Sequence, residues 1–290
     1  MDQKEMQAVT NRRVGSHVPH DGWNVTVAIV VANRPAVHLL GTGSLFEIGG
    51  YRFVVTAAHV INLAHQYDKT IGISDGHESL VALPGNWQCS VPQSDSVEDL
   101  LDVAIYRLPL SALERMKQVS FLRREDIDFS EQSKTAVFSL LGFPGIWAKP
   151  SRSEGERVSL TPLEYTTHAY AGSTESLIGY NARYHLLLDS SVKDMTQQDG
   201  SPAVIVKKDG QAATGPRDLE GVSGCAVWNI GDLEVPLDQW RNRRPKVVAV
   251  NTGVYQKSQV GRATRWVAVT TLINEAFPEL RPALRLSIQD

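Results

Sequence analysis

The sequence predicts an all-β protein, a barrel or a sandwich, and three observations predict it. Short runs rich in Val, Ile, Leu, Phe and Tyr recur along most of the chain, Gly, Pro, Asn and Asp separate them, and only two stretches carry helical spacing. Branched and aromatic side chains fit a pleated surface, and the residues between them are those that turns demand.

In chain order the expected strands begin with NVTVAIVV (24–31), VHLLGTGSLFEI (37–48) and YRFVV (51–55). VAIYRL (103–108) and TAVFSLLG (135–142) follow. RYHLLLD (183–189), PAVIVK (202–207), CAVW (225–228) and KVVAV (246–250) complete the set. Turn signals such as IGGY, SDGH and KKDG lie between them. Helices are expected at LSALERMKQV (110–119) and at WVAVTTLINEAF (266–277), the latter stopped by Pro278. The polar stretch FLRREDIDFSEQSK (121–134) separates two strand-rich halves and reads as a linker. Long surface loops are expected over 146–182 and 189–220.

The chain of 290 residues is 42% hydrophobic and 21% charged, enough to bury a sizeable core. A net charge of −3 provides no global attraction for nucleic acid or anionic lipid, so neither is an expected partner. The basic run RNRRPK (241–246) reads as a solvated loop before a strand. The opening stretch, from Met1, is polar and lacks the apolar core of a secretory signal, and no apolar run reaches membrane-spanning length. Two cysteines, Cys89 and Cys225, make no disulfide scaffold. A cytoplasmic protein is expected.

Three short motifs carry chemistry. In YRFVVTAAHVI an apolar strand runs into two alanines and then His59, which a turn would present at the edge of the core. In EDLLDVAIYRL, Asp102 directly precedes an apolar strand, where its half-buried carboxylate needs a partner, while Asp95 and Asp99 lie in more polar surroundings. In GVSGCAVW, Gly221, Ser223 and Gly224 allow a sharp turn whose N–H groups converge, as an oxyanion site requires. Each motif alone has an ordinary structural reading: a satisfied histidine, an acid at a strand start, a small-residue loop.

Together, and in the order His59, Asp102, Ser223, the motifs resemble those of the chymotrypsin/trypsin-like serine peptidases: TAAHV resembles the histidine motif, DVAI the aspartate motif and GVSGCAV the serine motif. GTGSLF is similar to the strand before the histidine in bacterial trypsin-like and high-temperature-requirement proteases. GFPG (142–145) resembles the segment opening their second barrel, and VVAVNTG (247–253) the strand that receives substrate backbone.

The resemblance implies two six-stranded antiparallel β-barrels with a C-terminal helix. A polar arm would cover 1–21, the first barrel 22–120 and the linker 121–134. The second barrel and the helix would cover 135–290. It implies a serine endopeptidase with His59 as base, Asp102 as orienting acid and Ser223 as nucleophile. Gly221 and Ser223 would supply the oxyanion N–H groups, and Thr252, Gly253 and Val254 would pair with substrate. The position of the pocket base falls on Arg217, which implies an acidic or polar residue before the cut, whereas Val254 at the mouth implies a small one. Cys225 and Ala226 depart from the usual residues after the nucleophile, and Cys225 is given a packing role. Val222 stands where the digestive enzymes carry an aspartate, so activation by N-terminal cleavage is not expected.

No metal or other cofactor is expected. His17 and His20 have no cysteine or carboxylate cluster beside them. An α/β-hydrolase requires its histidine after the serine, yet all eight histidines precede Ser223. A cysteine protease built on Cys89 with His168 or His185 has no supporting motif. The expected partner is a protein or peptide substrate, one dedicated intracellular protein. An activating protein partner could order the 146–182 and 189–220 loops. The alternatives are a catalytically silent, protease-like peptide-binding module and an esterase on the same fold.

Overall fold

A computed structural model describes residues 19–33, 36–66, 70–74, 79–90, 101–116, 118–145, 148–150, 158–190, 220–240 and 243–284, with Val14 and His17. The protein is mostly β, with two antiparallel sheets and a C-terminal helix. The first sheet takes β1 (Thr26–Asn33), β2 (Ala36–Ile48), β3 (Tyr51–Ala57), β4 (Ile71–Ser74), β5 (Leu80–Ala82), β6 (Gln88–Cys89) and β7 (Val103–Arg107), in the order β5-β4-β1-β2-β3-β7-β6. By its ladders it has seven strands where six are expected. The reason is local. The segment from 80 to 89 divides at Pro84, which has no N–H to donate, and at Gly85, whose φ is +118°. The divided segment carries the chain from the β4 edge, where Leu83 N–H donates to Ile71 O at 2.8 Å, to the β7 edge, where Ser90 N–H donates to Val103 O at 2.8 Å.

Next come β8 (Ala136–Gly142) and a two-stranded ribbon of β9 (Lys149–Pro150) and β10 (Val158–Ser159). They are followed by β11 (Leu163–His168), β12 (His185–Asp189), β13 (Ala226–Asp232), β14 (Lys246–Tyr255) and β15 (Val260–Arg265). The second sheet is six-stranded, ordered β11-β8-β13-β14-β15-β12. Its two edges meet at the Ala169–Leu188 bridge, where Tyr170 N–H donates to Leu187 O at 3.0 Å.

The strands read as continuous apolar runs because both faces of each sheet are covered. Along β3, Phe53 and Val55 enter a core between the two sheets while Val54 and Ala57 enter the core inside the first sheet. Along β13, Ala226, Trp228 and Ile230 enter the shared core, and Val227 the core of the second sheet. The shared core is capped by Trp266, Val269 and Ile273 of the C-terminal helix.

Several expectations are corrected. His59 stands on a helix, α1 (Ala58–Gln66), not on a turn; its buried positions Ala58, Ile61 and Ala64 have helical spacing. The expected helix over 110–119 is only α2 (Leu110–Leu113) and a loose following turn, enough to bury Ala112 and Met116. Three further helices are α3 (Leu237–Trp240), α4 (Trp266–Ala276) and α5 (Arg281–Leu284), the second as expected. β11 lies within the expected 146–182 loop, and β4 and β15 were not expected as strands. The strand expected over 202–207 lies outside the described residues, as do 191–219.

The 121–134 stretch is laced to both sheets. Leu122 bridges to Phe46, and Ile127 bridges to Val247. The basic run after α3 meets this connector, with Arg244 on Asp126 at 2.9 Å and Lys246 donating to Glu125 O.

Candidate active site

β3 ends at Ala57 and α1 begins at Ala58, both buried and small, so other backbone can approach the start of the helix. His59 follows with its side chain 48% exposed. Asp102 stands just before β7 with φ +47°, in the left-handed region, and is 7% exposed. For a residue with a Cβ this conformation costs about 1–2 kcal/mol, and such strain gathers where the surroundings over-determine a functional side chain.

Those surroundings are the first turn of α1. Asp102 Oδ1 accepts the backbone N–H of His59 at 2.9 Å, and Oδ2 lies 2.8 Å from His59 Nδ1. The Asp102 carbonyl accepts the Ala58 N–H at 3.0 Å. A carboxylate can only accept, so Nδ1 carries the proton and Nε2 is left as an acceptor.

The turn before β13 is fixed at four successive carbonyls. Gly145 N–H donates to Glu220 O at 2.6 Å, and the Thr42 hydroxyl donates to Gly221 O at 2.7 Å. Cys225 N–H donates to Val222 O at 3.2 Å, and Thr42 N–H donates to Ser223 O at 2.9 Å. In a planar trans peptide the N–H points opposite to the C=O. The N–H of Gly221 is therefore turned away from Gly145, and that of Ser223 away from Cys225. Neither donates to a backbone carbonyl among the described residues. Gly224 has φ +92°, and a Cβ there would stand 2.0 Å from Thr42 O and 3.0 Å from Ala57 N. Only glycine lets this turn pack against the end of β3, one residue before the helix that carries His59.

Thr252, Gly253 and Val254 lie on β14 beyond Val250, where pairing with β13 ends, while pairing with β15 continues through Gly253–Arg262 and Val254–Gly261. Arg217 lies outside the described residues. A cavity of about 120 Å³ opens beside Ser223 and Gly253, walled by Leu140, Leu163, Leu188, Val222 and Val254. Tyr165 also lines it. Burial pushes the Tyr165 phenol up to about 12, and its hydroxyl donates to Asp189 O at 3.1 Å.

Cys225 is fully buried in the core of the second sheet, and burial pushes its thiol up, which suits packing and not nucleophilic attack. Cys89 is on β6 of the first sheet, whereas His168 and His185 belong to the second. Among the described residues no group of three or more His, Cys, Asp or Glu is placed to hold a metal, and no helix is long and apolar enough to cross a membrane.

Sequence reasoning missed three residues that touch this site. Thr42 lies in GTGSLF, Arg262 approaches Asp102 Oδ2 at 3.5 Å, and Thr264 donates to Leu101 O. Nothing in the local sequence around Arg262 or Thr264 signals a contact with a loop some 160 residues earlier.

No family model matches the sequence, and no curated protein matches it. Solved structures align with it along most of its length. The serine protease domain of the Sesbania mosaic virus polyprotein aligns with 86% of this chain and 91% of its own at 16% identity and a TM-score of 0.43. A Glu endopeptidase structure aligns with 88% and 90% at 12% identity and a TM-score of 0.47. A structure from work on the disordered VPg protein of Sesbania mosaic virus aligns with 85% and 87% at 16% identity and a TM-score of 0.43.

Proposed function

We propose that the chain is a trypsin-like serine endopeptidase in which Ser223 is the nucleophile, His59 the general base and Asp102 the orienting acid. The observation that carries the reading is the engagement of both Asp102 carboxylate oxygens by His59, at a backbone in the left-handed region. The fixed Ser223 turn beside the apolar cavity supports it.

In this mechanism Ser223 Oγ attacks a peptide carbonyl and gives its proton to His59 Nε2. The C–N bond then breaks, the amine leaves with that proton, and an ester to Ser223 remains. Water, deprotonated by the same Nε2, hydrolyses the ester and restores the hydroxyl. Asp102 holds the tautomer with Nδ1–H and stabilises the imidazolium. The N–H groups of Gly221 and Ser223 receive the oxyanion, a term of roughly 3 kcal/mol per donor. Residues 252–254 take the substrate as an added antiparallel strand, with Arg217 proposed at the pocket.

The substrate is proposed to be a specific intracellular protein, in a cytoplasmic setting, with an activating protein partner as the means of control. Within the trypsin-like group, the narrower likeness to high-temperature-requirement proteases rests on GTGSLF, GFPG and VVAVNTG.

The test is intact-mass spectrometry after treatment with a fluorophosphonate, with Ser223→Ala alongside. A single adduct on the parent chain, absent from the variant, is the expected result. A folded parent chain that takes no adduct overturns the reading and leaves a peptide-binding module in its place.

A further inference from the structure

β15 reaches the acid of this site from the other sheet. Residues 262 and 264 lie on one face of that strand, as the two-residue repeat of a strand requires. Thr264 Oγ1 donates to Leu101 O, and Arg262 Nη2 lies 3.5 Å from Asp102 Oδ2. Neither side chain of the ion pair is open to water; Arg262 is 13% exposed and Asp102 10%. Arg262 is itself anchored to β14. It pairs with Gly253 in register, and its carbonyl accepts the Thr252 hydroxyl at 3.2 Å.

Removing a carboxylate from water is costly unless it is paired. His59 gives Asp102 two hydrogen bonds but no charge while the imidazole is neutral, as a general base must be before attack. Arg262 is the permanent cation in contact with that carboxylate among the described residues.

We propose that Arg262 is a positioning residue that holds the Asp102 carboxylate in place, so that His59 retains Nδ1–H and presents Nε2 to Ser223. The proposal rests on the roles given above to His59, Asp102 and Ser223. The same residue links the acid, through its guanidinium, to the strand proposed to receive substrate, through its backbone. The sheet that carries the nucleophile thus helps set the orientation of the base carried by the other.

The test uses the full chain with Arg262→Lys, Arg262→Met and Arg262→Ala, and reads peptide hydrolysis, thermal melting and the His59 Nδ1–H proton by NMR. Arg262→Met is expected to lower kcat by roughly 10- to 100-fold, the size of a lost hydrogen bond to a charged group, while KM stays nearly constant. The Nδ1–H resonance should weaken or move in Arg262→Met and persist in Arg262→Lys. Millimolar guanidinium should restore Arg262→Ala and leave the parent chain unchanged. A lower melting temperature with kcat and the resonance intact overturns the proposal, because it marks a purely structural residue. Should Arg262→Met fail to fold, Arg262→Lys decides: losing the resonance in a folded protein overturns the proposal, and retaining it supports it. If the parent chain neither hydrolyses peptide nor takes the fluorophosphonate, the endopeptidase reading fails by itself, and the resonance still judges Arg262.

Discussion

Thr42 on β2 grips the Ser223 turn across the boundary between the two sheets, its N–H donating to Ser223 O at 2.9 Å and its hydroxyl to Gly221 O at 2.7 Å. The same hydroxyl accepts the Phe143 N–H at 3.0 Å, and the residue is fully buried. Thr42→Val keeps the shape and the backbone bond but leaves Gly221 O without its donor and Phe143 N–H without its acceptor. A loss of about 1–3 kcal/mol follows, which thermal melting should register as roughly 2–4 °C per kcal/mol. Peptide hydrolysis should fall as well, because the freed Gly221 carbonyl no longer fixes the turn. Thr42→Ser should retain both properties.

The left-handed backbone of Asp102 separates its two obvious variants. Asn tolerates this conformation and keeps the shape of the side chain, so Asp102→Asn, which loses chiefly the pairing with Arg262, should melt below the parent chain but above Asp102→Ala. Its amide can present N–H to His59 Nδ1 and favour the wrong tautomer, for which a loss of about ten-thousandfold in kcat is the expected order. Asp102→Ala should be equally inactive and also less stable, because it keeps the strain and loses the bonds to His59 N–H and Nδ1. Melting curves measured beside single-turnover rates distinguish the two variants. An active Asp102→Asn enzyme removes Asp102 from the mechanism.

The sequence made β1, β2, β3, β8 and β13 legible because their side chains alternate between buried cores and so form runs rich in apolar residues. β15 was hidden for the opposite reason. Arg262 and Thr264, on its site-facing side, are polar because they hold the loop of Asp102. A strand that serves a site breaks the pattern by which strands are recognised. α1 was obscured by the apolar strand that runs into it without a turn signal, although Ala58, Ile61 and Ala64 carry its period. His59 and Asp102 were legible as motifs, and the structure brings them together. The Thr42 contacts were not legible, since they join residues about 180 positions apart.

Asp232 should make the fold sensitive to acid. Burial pushes its carboxyl up, but hydrogen bonds from Thr135, Glu234 and Ser133, with the Arg243 charge nearby, hold it below the usual carboxylate range. A carboxyl lowered in the folded state contributes stability above its unfolded pKa of about 3.9 and loses it as pH falls through the folded value. The Asp232→Asn variant should therefore show a smaller drop in melting temperature between neutral pH and about pH 3 than the parent chain does. The group is only half-buried, so the difference should be small and should shrink further in salt. An identical acid response in the two proteins rules out this contribution.

The cavity beside Ser223 makes a definite prediction about the residue before the cut. Its walls are mostly aliphatic, with Ser190, Asn251 and Gln256 as neutral polar lining, its tyrosine stays un-ionised, and among the described lining residues the charged one is Glu220, an exposed carboxylate. An acidic side chain would meet Glu220 and no described cation, and a lysine would bury its charge between leucines. At about 120 Å³ the space suits a branched aliphatic side chain; a dry cavity of roughly 150 Å³ is known to hold benzene. Peptide libraries should therefore favour Val, Ile, Leu or Met at this position over Ala by roughly tenfold or more, since even one methylene in such a pocket is worth roughly 1–3 kcal/mol. Val254→Gly should widen the entrance and shift kcat/KM toward Phe. The deciding variant is Arg217→Ala: if the aliphatic preference survives it, the walls set the specificity. If the parent chain instead prefers Glu and Arg217→Ala abolishes that preference, an arginine governs the pocket and the wall argument fails.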